Sequence, residues 1–153
     1  MNSTVDTAAP AATTAPRHPL ANAAVLLARI LLAAIFVRGG ISKIGDPAPV
    51  IANMTSHGIP LPNLLVWGAI VVELGGGLLL IAGLFARYAA LVLCLYTLML
   101  ALIFHAYWAA VAAAARAQGA EFFGHLGIMG GMLAIVAFGA GAWSLDALLR
   151  QRA

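Results

Sequence analysis

The sequence predicts an all-α protein: an integral membrane antiparallel four-helix bundle with its N- and C-termini cytoplasmic. Three observations predict it. Of the 153 residues, 63% are hydrophobic and only 8% charged, whereas a soluble domain carries about 25% charged residues. The apolar residues gather into runs of roughly 20, each long enough to cross a ~30 Å hydrocarbon core as a helix. Backbone groups in lipid must be paired within their own segment, so helices are the form such runs take. No room is left for a separate soluble domain, and residues 20–150 read as one membrane domain.

The elements follow in order. Residues 1–19 are Ala, Thr, Ser and Pro with few bulky apolar side chains, too little to offset the entropy of ordering, and read as a disordered tail. A cleaved signal peptide is the rival reading, since Arg17 precedes an apolar run, but that run is long and carries Arg29 in its middle. The spans are about 20–44, 62–82, 88–108 and 122–142. Between the first two, Asp46 can cap, Pro47 suits a first helical position, Val50, Ile51 and Met54 share a face, and Gly58 stops the turn. A short amphipathic helix at the membrane surface is expected there. Gly83-Leu84-Phe85-Ala86-Arg87 forces an antiparallel hairpin between the second and third spans, with Gly83 suited to a left-handed helix end. The alanine run 109–115 is expected to extend the third helix until Gly119 breaks it. Ser144 can cap a terminal helix, Leu145 to Arg150.

Charge sets the expected orientation. Arg17, Arg87, Arg150 and Arg152 fall on one side of the membrane, against Lys43 and Arg116 on the other. Positive residues stay in the cytoplasm, so both termini are expected inside. The net charge of +3 is dispersed and forms no basic run, which gives no footprint for nucleic acid. Cys94 is the single cysteine and lies mid-span, so one chain can hold neither a disulfide nor a CxxC pair.

Ionisable residues inside apolar spans carry the functional reading, because lipid penalises them. At ~100° per residue, Arg29, Ala33, Phe36, Gly40 and Lys43 form one stripe of the first helix, and Ala69, Glu73, Gly76 and Gly77 one stripe of the second. Small residues permit close approach and polar ones turn inward, so the two stripes are expected to face each other. An Arg29–Glu73 pair near mid-membrane is expected. It serves either to fix helix register or as a proton-accepting, ligand-anchoring carboxylate. Arg38, half a turn away, points outward and snorkels.

His105 and His125 are expected at similar depth on neighbouring helices, toward the outer leaflet and beside Lys43. They are satisfied interfacial side chains, or they line a polar pocket for a small ligand such as a quinone headgroup, or they ligate haem or a metal. Without a Glu-x-x-His pair or thiolates the last has least support, and no metal site is assigned. His57 reads as a last-turn cation or a solvated side chain. Gly124, Gly127 and Gly131 argue for tight packing of the fourth helix, within the bundle or between protomers.

Taken together, these residues resemble the DoxX-like membrane proteins. The matching pieces are Leu27-Ala28-Arg29 and Gly40-Ile41-Ser42-Lys43 in the first span, then Gly58-Ile59-Pro60-Leu61-Pro62 and Val72-Glu73-Leu74-Gly75-Gly76-Gly77. Gly83-Leu84-Phe85-Ala86-Arg87, His105, Phe122-Phe123 and Gly141-Ala142-Trp143-Ser144-Leu145-Asp146 complete the order. The resemblance covers about residues 22–150. It implies a four-span bundle of the bacterial inner membrane, often described as an oxidoreductase. It also implies Arg29, Lys43, Glu73 and His105 as recurrent polar positions. One relative resembles a quinone-reducing subunit and another a scaffold for soluble redox enzymes.

The expected function is therefore a redox-linked, quinone-associated membrane subunit. Glu73 and Arg29 would handle protons, and Lys43, His105 and His125 would hold the ligand toward the outer leaflet. The alternative is a non-catalytic membrane anchor or assembly subunit for a soluble redox partner. A homo-oligomer in the lipid bilayer suits either, and a solute transporter has little support because no span is broken by proline.

Overall fold

The computed structural model describes residues 19–152, so the expected tail and Arg17 fall outside the described residues, Pro19 apart. Among the described residues there are six helices: α1 (Pro19–Gly45), α2 (Ala48–Ser56), α3 (Pro62–Ala82), α4 (Ala86–Phe104), α5 (Ala112–Phe138) and α6 (Leu145–Arg152). No strand occurs among the described residues. α1, α3, α4 and α5 are long and apolar enough to cross a membrane. They close a ring in which α1 packs on α3, α3 on α4, α4 on α5 and α5 back on α1.

The ring is inverted relative to a soluble bundle. Leu31, Val71, Leu78, Val92 and Leu95 point outward and exposed, as lipid-facing residues must. The interior is built from small residues with a few large ones wedged between them: Ala33, Phe36, Leu80, Ala90, Leu93 and Met132. Close approach of backbones, more than burial from water, holds such a bundle together. A Cβ on Gly40 would lie 2.6 Å from Leu74 Cγ, and one on Gly77 would lie 2.7 Å from Val37 Cγ2. The two stripes read from the sequence do meet: Arg29, Ala33, Phe36 and Gly40 are the buried residues of α1, and Ala69, Glu73 and Gly77 are among those of α3.

α2 forms where expected. Asp46 Oδ1 accepts from Ala48 N at 3.2 Å, Met54 is buried and Gly58 takes a left-handed φ of 69°. Gly83 ends α3 with φ 67°. The third connection differs from the expectation. α4 stops at Phe104, and a turn through residues 105–111 follows, so the alanine run opens α5 instead of prolonging α4. The aromatic pairs Tyr107–Phe122 and Trp108–Phe122, with ring centroids 5.6 and 5.4 Å apart, fold that turn back over α5. Gly119 then lies inside α5, and alanine propagates whichever helix it joins. Within the bundle, the fourth-helix glycines pack closely at one position. Only Gly131 meets a neighbour, Leu32, while Gly124 and Gly127 have no atom within 4 Å of a would-be Cβ.

Candidate functional site

A helical Cα–Cβ bond tilts toward the N-terminus, so Lys43, near the end of α1, sends its ammonium back down the bundle. Nζ reaches Glu73 Oε1 at 2.9 Å and Oε2 at 2.7 Å. This is the only ion pair among the described residues. Glu73 lies 11 residues into α3, ~16 Å along its axis and thus about halfway across the hydrocarbon. Tyr96, on α4, donates its hydroxyl to Glu73 Oε1 at 2.7 Å. The carboxylate is therefore satisfied by three strong donated bonds, which offsets the desolvation that an isolated charge would suffer there. Gly39 completes the arrangement by its lack of a side chain: a Cβ would stand 2.9 Å from Glu73 Oε2.

Arg29 does not pair with Glu73. The antiparallel register explains why. Gly40 lies against Leu74 and Gly77 against Val37, while Arg29 lies against Gly83. Glu73 is level with Gly39 and Gly40, about ten residues or ~15 Å along the helix from Arg29. Arg29 instead anchors the end of the bundle where α1 begins and α6 lies. It is fully buried, and Nη2 donates to the Trp143 carbonyl at 2.6 Å, while Nε and Nη1 find no partner among the described residues. Around it, Asp146 accepts from Phe85 N at 2.8 Å and Ala86 N at 3.0 Å, and its own N–H donates to Gly83 O at 2.9 Å. The Gly83–Arg87 turn and the Gly141–Asp146 segment are thus one structural knot.

Beside the Lys43–Glu73 pair lies a cavity of about 310 Å³ whose polar wall includes Asn53, His57, Tyr96, His105 and Gln118. An apolar groove of about 480 Å³ between α3 and α4 shares Met54, Tyr96, Leu100 and Phe104 with it. The groove is bordered by Leu65, Met99 and Ile103, all exposed on the lipid side. His105 faces the cavity and donates Nδ1–H to Gln118 Oε1 at 2.9 Å. His125 is not on the cavity wall but lies against His105, ring centroids 4.7 Å apart. Arg38 is exposed, as its helical angle predicts.

Sequence reasoning missed Tyr96 as a partner of Glu73 and read His57 as a last-turn cation or a solvated side chain. A hydroxyl in the middle of an apolar span was the available signal for Tyr96, since a buried phenol seeks a partner. Asn53 and His57 are neighbours by their i, i+4 spacing at the end of α2, but nothing in the sequence brings Gln118 to them, because it comes from α5.

A family model described as DoxX matches residues 24–106. The chain belongs to the DoxX family. The match takes in Arg29, Lys43, Glu73, Tyr96 and His105. It stops short of His125 and Asp146. The DoxX chain is similar to inner membrane protein YphA of Escherichia coli K12, 34% identical over 80% of this chain and 87% of the relative. It is also similar to inner membrane protein YqjF of the same strain, 33% identical over 87% of this chain and 97% of that relative. No solved structure matches. With four apolar helices, this DoxX-family chain is a multi-pass protein of the bacterial inner membrane.

Proposed function

We propose that this protein is a redox-linked membrane subunit whose cavity takes the headgroup of a quinone-type lipid. The observation that carries the reading is the continuity between the polar cavity at Lys43–Glu73 and the apolar, lipid-facing groove, through Met54, Tyr96, Leu100 and Phe104. An amphiphile with a polar ring and a long apolar tail fits both compartments at once. The Lys43 ammonium is a donor for a ring carbonyl. With Nδ1–H committed to Gln118, His105 offers Nε2 as an acceptor for a ring hydroxyl. Reduction of a quinone to a quinol takes two electrons and two protons. Tyr96, Glu73 and Lys43 form a contiguous hydrogen-bonded path by which protons reach the ring, and a soluble redox partner supplies the electrons.

The test is lipid extraction and mass spectrometry of the purified protein, beside quinone-dependent activity in membranes. A co-purifying quinone, lost with Lys43→Ala or His105→Ala, supports the reading. No quinone, together with unchanged activity in both variants, defeats it.

A second reading, a non-catalytic anchor for soluble redox enzymes, draws on the opposite end of the bundle. There Arg87 and Arg150 line one groove of about 310 Å³. Pull-down in mild detergent separates the two: an acidic soluble partner retained by the parent and lost with Arg87→Ala/Arg150→Ala favours the anchor.

A further inference from the structure

The ligand-type side chains outside the Lys43–Glu73 pair are not scattered. One ring nitrogen each of His105 and His125 and one carboxylate oxygen of Glu121 all lie within 4.8 Å of one another. Glu121 and His125 are four apart on α5 and share a face, while His105 caps the end of the neighbouring α4.

The hydrogen bonds decide what these groups can do. His125 Nδ1 stands 2.7 Å from the Glu121 backbone carbonyl, and His105 Nδ1 stands 2.9 Å from Gln118 Oε1. Both partners are carbonyl-type oxygens that only accept, so both Nδ1 atoms carry the proton. Each ring therefore has its Nε2 lone pair free. This is the arrangement that fixes the tautomer and orientation of a ligating histidine. Glu121 has no ion-pair partner among the described residues, and it is exposed and free to swing.

We infer that His105, His125 and Glu121 form a binding site for a borderline divalent ion of the zinc class, at the α4–α5 turn. Two imidazoles and a carboxylate form a recognised ligand set for Zn²⁺, with a fourth position left to water. At metal–ligand distances of about 2.0–2.2 Å, tetrahedral ligand atoms stand about 3.3–3.5 Å apart. Binding therefore requires the cluster, now within 4.8 Å, to close by rotation of the Glu121 side chain and tilting of the rings. Hard ions such as Mg²⁺ prefer all-oxygen sites and are not expected to compete. Sequence spacing hides the site because His105 and Glu121 belong to different helices and no Glu-x-x-His motif is present. Glu121 and His125 lie off the cavity wall, but His105 is on it; the metal and a quinone hydroxyl would compete for its Nε2, which is why the metal is tested on delipidated protein.

The experiment is Zn²⁺ titration of the untagged, delipidated full chain in detergent, against a chromophoric chelator. One saturable Zn²⁺ per chain is expected, with affinity lowered at least tenfold by Glu121→Gln or His125→Gln. Gln118→Ala, which frees the His105 ring, is expected to lower it about 10–100-fold. Zn²⁺ should also raise the Tm of the parent and not that of Glu121→Gln, which separates lost binding from lost folding. Absence of saturable binding, equal affinity in the parent and both Gln variants, or displacement by equimolar Mg²⁺ overturns the inference.

Discussion

Lys43 and Glu73 are each other's condition for being in the membrane at all. Removing the carboxylate leaves an ammonium without its counter-charge, whereas removing both charges leaves no unpaired charge, only the Tyr96 hydroxyl without its acceptor. Glu73→Leu is therefore expected to destabilise the protein by about 3 kcal/mol, the low end for a buried pair, because Lys43 keeps 18% of its side chain exposed. Adding Lys43→Met should recover most of that loss. Unfolding by SDS titration in mixed micelles reads both, and a single variant as stable as the parent would contradict the pairing. Gly39→Ala should act on the same atoms from the other side. Its methyl group would press on Glu73 Oε2, with a cost of about 1–3 kcal/mol. Both charged residues were legible in the sequence, since an ionisable side chain in an apolar run announces itself. Their partnership was not. Pairing depends on register, and register is set by where Gly40 and Gly77 let the backbones touch.

At the scale of elements, the ends of the helices were harder to read than their cores. The second span, 62–82, coincides with α3, because proline opens it and a left-handed glycine closes it. The alanine run attached to the wrong helix, because alanine favours helix without saying which one. What decides is the aromatic packing of Tyr107 and Trp108 on Phe122, a long-range contact that no local rule contains. The cap of α4 is likewise long-range: Asp146, in the first turn of α6, takes the two N–H groups of Phe85 and Ala86. Asp146→Ala is expected to cost about 1 kcal/mol, the usual worth of an N-cap. It should also speed hydrogen exchange at Phe85 and Ala86 and open the C-terminal segment to proteolysis. Unchanged exchange at those two amides would remove Asp146 from the cap.

For the whole molecule, the four-span bundle follows from composition and run length, and the remaining question is which way it faces. Arg87, Arg150 and Arg152 are exposed at the end where α1 begins and α6 lies, the same end to which Arg29 ties the chain. At the other end Lys43 is committed to Glu73, which leaves Arg116, near the start of α5, as the exposed basic residue. Arg38 lies within α1 on the lipid side. The retention of positive segments in the cytoplasm therefore predicts that both termini are inside. The cavity and the His105–Glu121–His125 cluster would then face the outer leaflet and the compartment beyond it. A C-terminal green-fluorescent fusion should fluoresce, and a C-terminal alkaline phosphatase fusion should stay inactive. The reverse pattern would turn the bundle over and put the Lys43–Glu73 cavity within reach of cytoplasmic partners instead. Charge reversal gives the sharper check: Arg87→Glu with Arg150→Glu and Arg152→Glu should erode the topology, while Arg116→Glu should leave it intact.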